Sequence, residues 1–162
     1  MTPSSSHDLV AGIEELVVVR DSEIHGRGVF ARRRLAPGTS LGLYEGRRYS
    51  PAALRRRSFD SALTYLFVLS DGTTIDGGQG GNATRHLNHA CVPNCEACEE
   101  IAEDGSIMIR VMTVRPVARD SELFLDYALV IDASEEPLAY PCHCGHADCR
   151  GSMAALPPGS SP

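Results

Sequence analysis

The sequence contains no lysine, so all 15 of its basic side chains are arginines. A GC-rich coding sequence, which favours arginine, alanine and glycine codons, is the simplest explanation. Long apolar runs are also missing. None approaches the ~18 residues of a membrane-spanning helix, so we expect no membrane association. The first residues, Met1 to His7, lack the charged and apolar regions of a secretory signal. We therefore expect an intracellular protein, either cytoplasmic or nuclear, or one delivered into a host cell if its source is bacterial.

The composition is that of a folded domain with unevenly distributed charge. A chain of 162 residues that is 43% hydrophobic and 22% charged favours one globular domain. Residues 1–81 contain 10 arginines and 9 acidic residues, whereas residues 82–162 contain 5 and 12, which accounts for the net charge of −6. The acidic half favours a basic partner. Nine arginines lie between Arg27 and Arg57. They have two interpretations, exposed helix and loop side chains or contacts to nucleic-acid phosphates.

Short apolar segments separated by glycine and proline turns run through the chain and predict β-strands. The predicted strands are Leu16 to Arg20, the glycine-punctuated Ile24 to Ala31, Leu41 to Glu45, Thr64 to Leu69, Thr73 to Asp76, the run around Ile101, Ile107 to Val114, and Leu123 to Leu125. Hairpin turns are predicted at Asp71-Gly72 and from Glu103 to Ser106. A helical turn is predicted from Pro51 to Arg57, and residues 77–81, with four glycines, indicate a flexible loop. The pattern predicts a mostly β domain of small sheets rather than βαβ units. Residues 1–12 and 156–162 are expected to be mobile tails.

Two polar segments are candidates for chemistry. In the segment from His25 to Gly28, glycines let a ligand approach the backbone, although a simple turn between strands is the alternative interpretation. The segment from Arg85 to Cys95 is a dense run of hydrogen-bonding side chains with two thiols. A capped loop in which Asn94 satisfies turn amides explains only part of this run.

The six cysteines fall into two groups, which in a reducing compartment favours metal binding over disulfides. Cys142, Cys144 and Cys149 lie within eight positions, so their thiolates can reach one tetrahedral Zn²⁺, which needs a fourth ligand. Cys91 is a good distant candidate. Four competitors remain: Cys95, Cys98, His143 and His146. Free thiols are the alternative to a zinc site.

Taken together, these segments resemble, in family order, the motifs of SET-domain protein lysine methyltransferases with a cysteine-rich post-SET tail. The resemblance extends from Leu16 to Met153. The matching segments are His25 to Ala31, Tyr44-Glu45-Gly46, Ile75-Asp76 through Gly81-Asn82, Asn88 to Asn94, Glu122 to Tyr127, and Cys142 to Gly145 with Cys149-Arg150-Gly151. Each match is weak alone, but six in order are specific.

The resemblance implies a compact β fold in which the segment after Asn88 and the strand ending at Tyr127 form a knot-like crossing. It implies S-adenosylmethionine on one face and a target lysine entering from the other. The implied cofactor-binding residues are Arg27, Gly28, Arg85, Asn88, His89 and Tyr127, with Cys144 in the tail that packs over the cofactor. Tyr127 would be the catalytic tyrosine, and Tyr44 and Tyr65 would line the lysine channel. Cys91, Cys142, Cys144 and Cys149 would hold a structural zinc.

These roles agree with the chemistry of amine methylation. Only the neutral amine is a nucleophile, yet free lysine has a pKa of about 10.4, so the site must favour deprotonation. An apolar channel beside a positive sulfonium does so, because desolvation and like charge both disfavour the ammonium form. Positioning and electrostatics then account for most of the catalysis. The absence of lysine in the chain has a second interpretation here, since such an enzyme presents no lysine to its own active site.

Two departures from the family pattern affect the expected function. His86 stands where the family usually has an aromatic residue. Leu125 stands where the family has Phe or Tyr, and without a hydroxyl there we expect di- or trimethylated product. Residues 13–133 are expected to form the SET domain and residues 134–155 the post-SET segment.

The expected substrate is a histone or histone-like basic tail. It would be attracted by two acidic groups, which are otherwise only a solvated surface: Glu96, Glu99, Glu100, Glu103 and Asp104 in the first, and Asp132, Glu135 and Glu136 in the second. A catalytically silent zinc-stabilised binding module and a methyltransferase of non-histone proteins are the alternatives. Contact with nucleic acid is compatible with the arginines but not required, and the oligomeric state is left open.

Overall fold

The computed structural model describes residues 12–57 and 65–156, and these residues form a mostly β fold of three small sheets. The ten strands are β1 (Val17–Asp21), β2 (Arg27–Ala31), β3 (Ser40–Leu43), β4 (Arg47–Tyr49), β5 (Leu66–Val68), β6 (Thr74–Asp76), β7 (Asn88–His89), β8 (Cys95–Ile101), β9 (Ile107–Thr113) and β10 (Glu122–Leu125). Two short α-helices, α1 (Ile13–Leu16) and α2 (Pro51–Leu54), and two 3-10 helices, Ala83–His86 and Pro137–Ala139, complete the fold. The predicted mobile tails lie outside the described residues, except for Gly12 and Leu156.

The first sheet brings the polar segments together, in the strand order β1-β2-β10-β7. The hairpin of β1 and β2 is antiparallel, and β10 pairs antiparallel with β2 and parallel with β7. Asn94 ties the chain after β7 to β10, because its side-chain amide donates to the Glu122 carbonyl and its side-chain oxygen accepts from the Phe124 amide, both at 2.8 Å. Asn94 therefore joins two segments rather than capping a turn, and the two segments run side by side as the implied crossing requires.

The other two sheets have the orders β3-β9-β8 and β4-β6-β5. The hairpin of β8 and β9 pairs in register from Cys95 opposite Thr113 to Ile101 opposite Ile107, as the apolar runs predicted. The predicted hairpin of β5 and β6 is also present. Strand β4 was not predicted, because Arg47-Arg48-Tyr49 has no apolar alternation and forms a strand only through its pairing with β6. Tyr65, which is predicted to line the lysine channel, directly precedes β5 of this third sheet.

The core lies where the three sheets meet. Alternate residues of the strands face it, for example Ile109 and Val111 of β9, which are 1% and 0% exposed, and Leu123 of β10, which is 0% exposed. Burial of such side chains contributes about 1.5–3 kcal/mol each. Because the strands are only two to seven residues long, this shared core is what fixes their relative positions.

The glycine-rich loop at residues 77–81 is held more firmly than its composition indicates. The Gly77 amide donates to the Tyr65 carbonyl at 2.9 Å, and the Asp76 side chain accepts from the Gly78 amide and from Gln79 Nε2. Gly77, Gly78 and Gly81 serve close packing, since a Cβ at any of them would lie less than 3.0 Å from a neighbouring atom, whereas Gly80 serves the turn with its φ of 72°. Both α-helices in the described part of the chain have four residues, so neither reaches the length of a membrane-crossing helix.

Candidate active site and zinc centre

Tyr127 follows the end of β10, and hydrogen bonds hold both its backbone and its side-chain hydroxyl. Its backbone amide donates to His89 Nδ1 at 3.0 Å, and its hydroxyl donates to the carbonyl oxygen of Leu87 at 2.7 Å. Burial of the hydroxyl, together with Tyr65 and Glu122, raises the pKa of Tyr127 to about 12. The residue as a whole nevertheless keeps 40% of its surface exposed. Tyr127 is therefore a neutral phenol with a fixed orientation at neutral pH.

His89 connects Tyr127 to the cysteines. Because its Nδ1 accepts from the Tyr127 amide, a neutral ring must carry its proton on Nε2, which lies 3.5 Å from Cys91 Sγ. Burial, with help from Arg150, lowers the pKa of His89, which agrees with a neutral ring even though Asp126 lies 3.5 Å from Nδ1. An N–H donor aimed at a ligating sulfur is a typical outer contact of a metal site.

Tyr44 and Tyr65 lie together on the side of the third sheet. The Tyr44 hydroxyl donates to the Tyr65 carbonyl at 2.7 Å, and the Tyr44 ring centroid is 5.4 Å from that of Phe67. Burial, together with Tyr127 and Asp76, raises the pKa of Tyr44 well above its usual value. Tyr127, predicted as the catalytic tyrosine, and Tyr44 and Tyr65, predicted to line the channel, influence one another electrostatically, so the structure brings the three into one region.

The glycine motif is fastened to β7 and β10. The side-chain amide of Asn88 lies 3.1 Å from the carbonyls of His25 and Arg27 and 2.8 Å from Glu122 Oε1. Gly28 packs against the Glu122 carboxylate so closely that a Cβ would collide with it. The second carboxylate oxygen of Glu122 accepts from the Ser22 hydroxyl at 2.9 Å. The side chain of Asn88 thus links the glycine motif to β10. Glu122 also belongs to the site, and although it lies within one of the matching sequence segments, the sequence offered no reason to select it.

Arg85 lies at the junction of the site with the glycine loop. Its guanidinium donates to the Gly77 carbonyl at 3.2 Å and to His86 Nε2 at 3.1 Å, and it lies 5.8 Å from the Tyr65 ring centroid. A surface cavity of about 360 Å³ has Arg27, Arg85 and His86 in its wall. The other predicted cofactor residues, Gly28, Asn88, His89, Tyr127 and Cys144, do not line this cavity.

Four cysteines form a tight cluster between the tail and the first sheet. The sulfurs of Cys91, Cys142, Cys144 and Cys149 all lie within 4.8 Å of one another. Cys91 Sγ is 3.6 Å from Cys142 Sγ and 3.9 Å from Cys149 Sγ. Four sulfurs bound tetrahedrally at the Zn–S distance of about 2.3 Å would be about 3.8 Å apart. The donor set therefore fits zinc in both chemistry and spacing.

Among the competitors for the fourth ligand, none joins this cluster within the described part of the chain. Cys95 is buried in the core at 1% exposure, and Cys98 lies in β8. His146 instead accepts a hydrogen bond from the Asp148 amide through Nδ1, at 3.0 Å. Backbone amides donate to the sulfurs, from Arg150 to Cys91 and from Gly151 to Cys149, both at 3.3 Å. Such bonds favour the thiolate form that metal binding requires.

Arg150 joins the cysteine-rich tail to the residue before Tyr127. Its two terminal nitrogens each donate to one carboxylate oxygen of Asp126 at 2.8 Å. Burial is the largest single influence and raises the pKa of Asp126, but the hydrogen bonds from Arg150 and from the Ala128 amide, together with the charge of Arg150, lower the pKa overall. Asp126 also accepts from the Ala128 amide at 3.0 Å, and Ala128 has a left-handed backbone with φ of 42°. The sequence motifs contain Asp126 and Arg150, but only the structure shows that they form a pair.

Gly77 is a site residue that the sequence did not single out. A Cβ there would lie 2.7 Å from the Tyr44 hydroxyl and 3.1 Å from Arg85 Cβ. A glycine is needed because the loop passes directly beneath both side chains. The Ile75-Asp76-Gly77 signal was present in the sequence, but its contacts depend on the third sheet.

The sequence and the fold of this chain are similar to those of known proteins. Residues 26–128 match the SET domain family model. The chain is 34% identical over 141 residues to human histone-lysine N-methyltransferase 2B and 33% identical over 137 residues to the H3 lysine-4 specific histone-lysine N-methyltransferase of Aspergillus fumigatus. These alignments cover 85% and 82% of this chain but only 5% and 11% of the two relatives. The solved structure of ctPRC2 in an autoinhibited conformation bound to S-adenosylmethionine is similar with a TM-score of 0.63 and 27% identity, over 70% of this chain and 15% of that chain.

A further relative, 30% identical over 141 residues, is the histone-lysine N-methyltransferase trr of Drosophila melanogaster. Relatives from human, a fungus and a fly give no support to the expectation of delivery into a host cell.

Proposed function

Because the chain belongs to the SET-domain family, we propose that it is a protein lysine methyltransferase that transfers methyl groups from S-adenosylmethionine to a histone. The matches confirm the predicted family and mostly β fold. The observation that carries the proposal is the arrangement of Tyr44 and Tyr127. Both hydroxyls donate to main-chain carbonyls, at 2.7 Å each, and both are kept neutral by burial.

This arrangement suits an amine substrate. A phenol whose proton is committed to a carbonyl still has oxygen lone pairs that accept hydrogen bonds. Two such acceptors orient the N–H bonds of a lysine and aim its lone pair. Because both phenols are neutral, they do not stabilise the ammonium form as a phenolate would, so the neutral nucleophile is not disfavoured. Orientation of this kind is worth several kcal/mol of the reaction barrier, about 7–11 kcal/mol in the most favourable intramolecular cases.

The cofactor is proposed to bind beside the glycine motif and β7. When bound, S-adenosylmethionine supplies an electrophilic methyl group on a positive sulfonium. Arg27, Gly28, Arg85, Asn88 and His89 are the residues proposed to hold it, with Tyr127 beside the methyl group. The backbone turn at Gly26, with φ of 46°, keeps its side free of a Cβ, which suits a ligand approaching the main chain.

Zinc is proposed to be structural. The four thiols match a closed tetrahedral site with four protein ligands, which is typical of structural rather than catalytic zinc. By holding Cys91 together with three tail cysteines, zinc would fix the tail against His89 and Asp126. Cys144 would then lie in the part of the tail that packs over the cofactor. We assign residues 13–133 to the catalytic domain and residues 134–155 to this tail.

The product state is proposed to be di- or trimethyllysine. Leu125 is buried at 6% exposure and pairs with His89 in the sheet. Its aliphatic side chain offers no hydroxyl to hold a water molecule in the space that a methylated amine needs. Successive methyl groups therefore meet no hydrogen-bonded water that must be displaced.

The substrate class is inferred from the relatives, whose names specify histones, and from the acidic surface. Part of that surface is already engaged, because Glu99 accepts from Ser70 and Glu100 pairs with Arg110 at 2.7 Å. Glu96, Glu103 and Asp104 remain exposed for a basic tail. With a histone as its substrate, the enzyme would act in the nucleus.

The test is methyl transfer from labelled S-adenosylmethionine to core histones by zinc-loaded protein. Tyr127→Phe removes one phenol and should lower transfer at least 100-fold, since it removes one aimed acceptor. Tyr140→Phe is the matched control, because the Tyr140 hydroxyl bonds only to exposed Glu135 among the described residues. Equal rates for the two variants would contradict the proposal. If the intact protein binds the cofactor but labels no histone, the proposal of a histone methyltransferase is wrong. The chain is then either a catalytically silent binding module or a methyltransferase of a non-histone protein, and labelling of proteins in a cell lysate distinguishes these two.

A further inference from the structure

The arginines of the first half are segregated from the acidic residues. Residues 27–57 contain nine arginines and one acidic residue, Glu45, which is a net charge of +8. Because the whole chain carries −6, the other 131 residues carry −14. Of these nine arginines, the proposed methyltransferase chemistry uses only Arg27, so the positive charge of the other eight has no assigned role.

Five of these arginines meet on one surface, which we call the arginine surface: Arg47, Arg48, Arg55, Arg56 and Arg57. Arg47 and Arg48 lie on β4, and the other three follow α2, which starts immediately after β4 at its N-cap Ser50. The Tyr49 ring lies between the two groups. The Arg47 and Arg57 guanidinium groups are 5.5 Å and 4.8 Å from its centroid, and Arg57 also donates to its hydroxyl.

The positive charge of the arginine surface is only partly compensated. All five residues are exposed, and none takes part in the ion pairs formed within the described residues. Four acidic residues lie nearby in the part of the chain that the structure describes. Glu45 precedes β4 by two positions, and Asp71 adjoins Gly72, where a Cβ would lie 3.1 Å from Pro51 Cγ in α2. Asp76 is opposite Arg47 in the sheet but bonds to Gly78 and Gln79, and Asp104 is close enough to sense the charge of Arg48. Among the described residues, the five arginines outnumber these four acidic residues.

We propose that the arginine surface binds the phosphate backbone of duplex DNA. Guanidinium groups present planar donor pairs that match phosphate oxygens. Single-stranded nucleic acid is disfavoured, because such binding uses exposed rings for base stacking and Tyr49 is only 6% exposed. A membrane surface is disfavoured because α2 has four residues and no large apolar face. The inference rests on the proposed function in one respect: a histone substrate is packaged with DNA, which would hold the enzyme beside its substrate.

The expected affinity has a characteristic salt dependence. Each phosphate neutralised contributes a slope of about −0.9 to the logarithmic plot of affinity against salt, so five contacts give about −4.5. Raising the salt from 50 to 200 mM should then weaken binding by up to about 500-fold. Binding should not depend on DNA sequence, since phosphate contacts carry no sequence information.

The experiment measures fluorescence anisotropy of a labelled 20-base-pair duplex with zinc-loaded protein, without histone or cofactor. Arg55→Gln with Arg56→Gln removes two charges and leaves the contact of Arg57 with Tyr49 intact. Arg115→Gln with Arg119→Gln removes the same charge from another exposed region. We expect the first variant to lose about 1.8 from the slope, equivalent to about 60-fold weaker binding at 0.1 M salt, and the control to bind like the parent protein. Circular dichroism melts establish that both variants fold.

Three results would overturn the inference: no binding at 50 mM salt, equal loss in both variants, or displacement of the duplex by polyglutamate or phosphatidylserine vesicles at the same charge concentration. Methyl transfer to free histones, measured in parallel, separates this inference from the proposed function. The Arg55 and Arg56 variant should retain that activity fully. Failure of all proteins to methylate would refute the proposed function while leaving a specific loss of DNA binding as support for this surface.

Discussion

The ion pair of Asp126 and Arg150 provides a quantitative test of how the cysteine-rich tail supports the site. The perturbation is Arg150→Met, which keeps the length of the apolar stem and removes the two hydrogen bonds of 2.8 Å. The Asp126 carboxylate would then lie beside a neutral His89 with the Ala128 amide as its remaining donor. The backbone amide of Arg150 also donates to Cys91 Sγ, and this bond is retained in Arg150→Met, so the variant removes only the side-chain link.

The magnitude follows from the burial of the two side chains. Arg150 and Asp126 are 17% and 31% exposed, so the pair lies between a surface pair, worth about 0–1 kcal/mol, and a buried pair, whose disruption costs about 3–5 kcal/mol. We expect a loss of about 2 kcal/mol in the free energy of unfolding. For a domain of this size that corresponds to a decrease of about 4–8 °C in Tm.

The assay is urea denaturation of the zinc-loaded protein in a double-mutant cycle with Asp126→Asn. A matched cycle on Arg20 and Asp120, a pair 3.7 Å apart with side chains 44% and 62% exposed, supplies the surface reference. The coupling energy of the Asp126 pair should exceed that of the reference by at least about 1 kcal/mol. Equal coupling energies in the two cycles would refute the view that this pair fastens the tail to the segment carrying Tyr127.

Three further predictions follow from the site. Leu125→Tyr should shift the product on one histone peptide toward monomethyllysine, because the added hydroxyl holds water in the methyl-accepting space; mass spectrometry that finds an unchanged product series would contradict this. Gly77→Ala should lower kcat at least tenfold and the free energy of unfolding by about 1–3 kcal/mol, because the added Cβ would lie 2.7 Å from the Tyr44 hydroxyl. Stopped methyl-transfer assays measure the first effect and urea denaturation the second. The initial rate should rise from pH 7 to pH 10 as the lysine loses its proton. The stability contribution of Tyr127, whose folded pKa of about 12 exceeds an unfolded value of about 10, should be complete below pH 10 and lost between pH 10 and 12. A rate or melting temperature that decreases as the pH is raised from 7 to 9 would be inconsistent with neutral tyrosines.

Local signals in the sequence predicted most of the strands correctly. The β-branched run before Arg20, the turn at Asp71 and Gly72, and the apolar residues of β9 each specify a strand or hairpin through short-range chemistry. Strand β4 lacks such a signal, because two consecutive arginines give no alternation of apolar and polar residues. Only the pairing with β6 makes this segment a strand. The predicted loop at residues 77–81 shows the same limit, since its glycines were identified but their close contacts come from distant residues.

The metal centre could be predicted in part. Three cysteines within eight positions point to one metal, but the fourth ligand depends on where the fold places distant residues. Cys91 was one of several candidates, and the parallel pairing of β7 with β10 is what brings it to the tail. The roles of Asp126 and Arg150 were not predicted for the same reason: a charge pair separated by 24 positions has no local signature.

The most direct test of the central claim is site-resolved mass spectrometry of histone H3 after incubation with the zinc-loaded protein and S-adenosylmethionine. The account predicts new methyl groups on the ε-amine of a lysine, advancing to the di- or trimethyl state, and their loss when Tyr127→Phe replaces the intact protein. Methyl groups on arginine, or lysine methylation that proceeds equally with Tyr127→Phe, would contradict it.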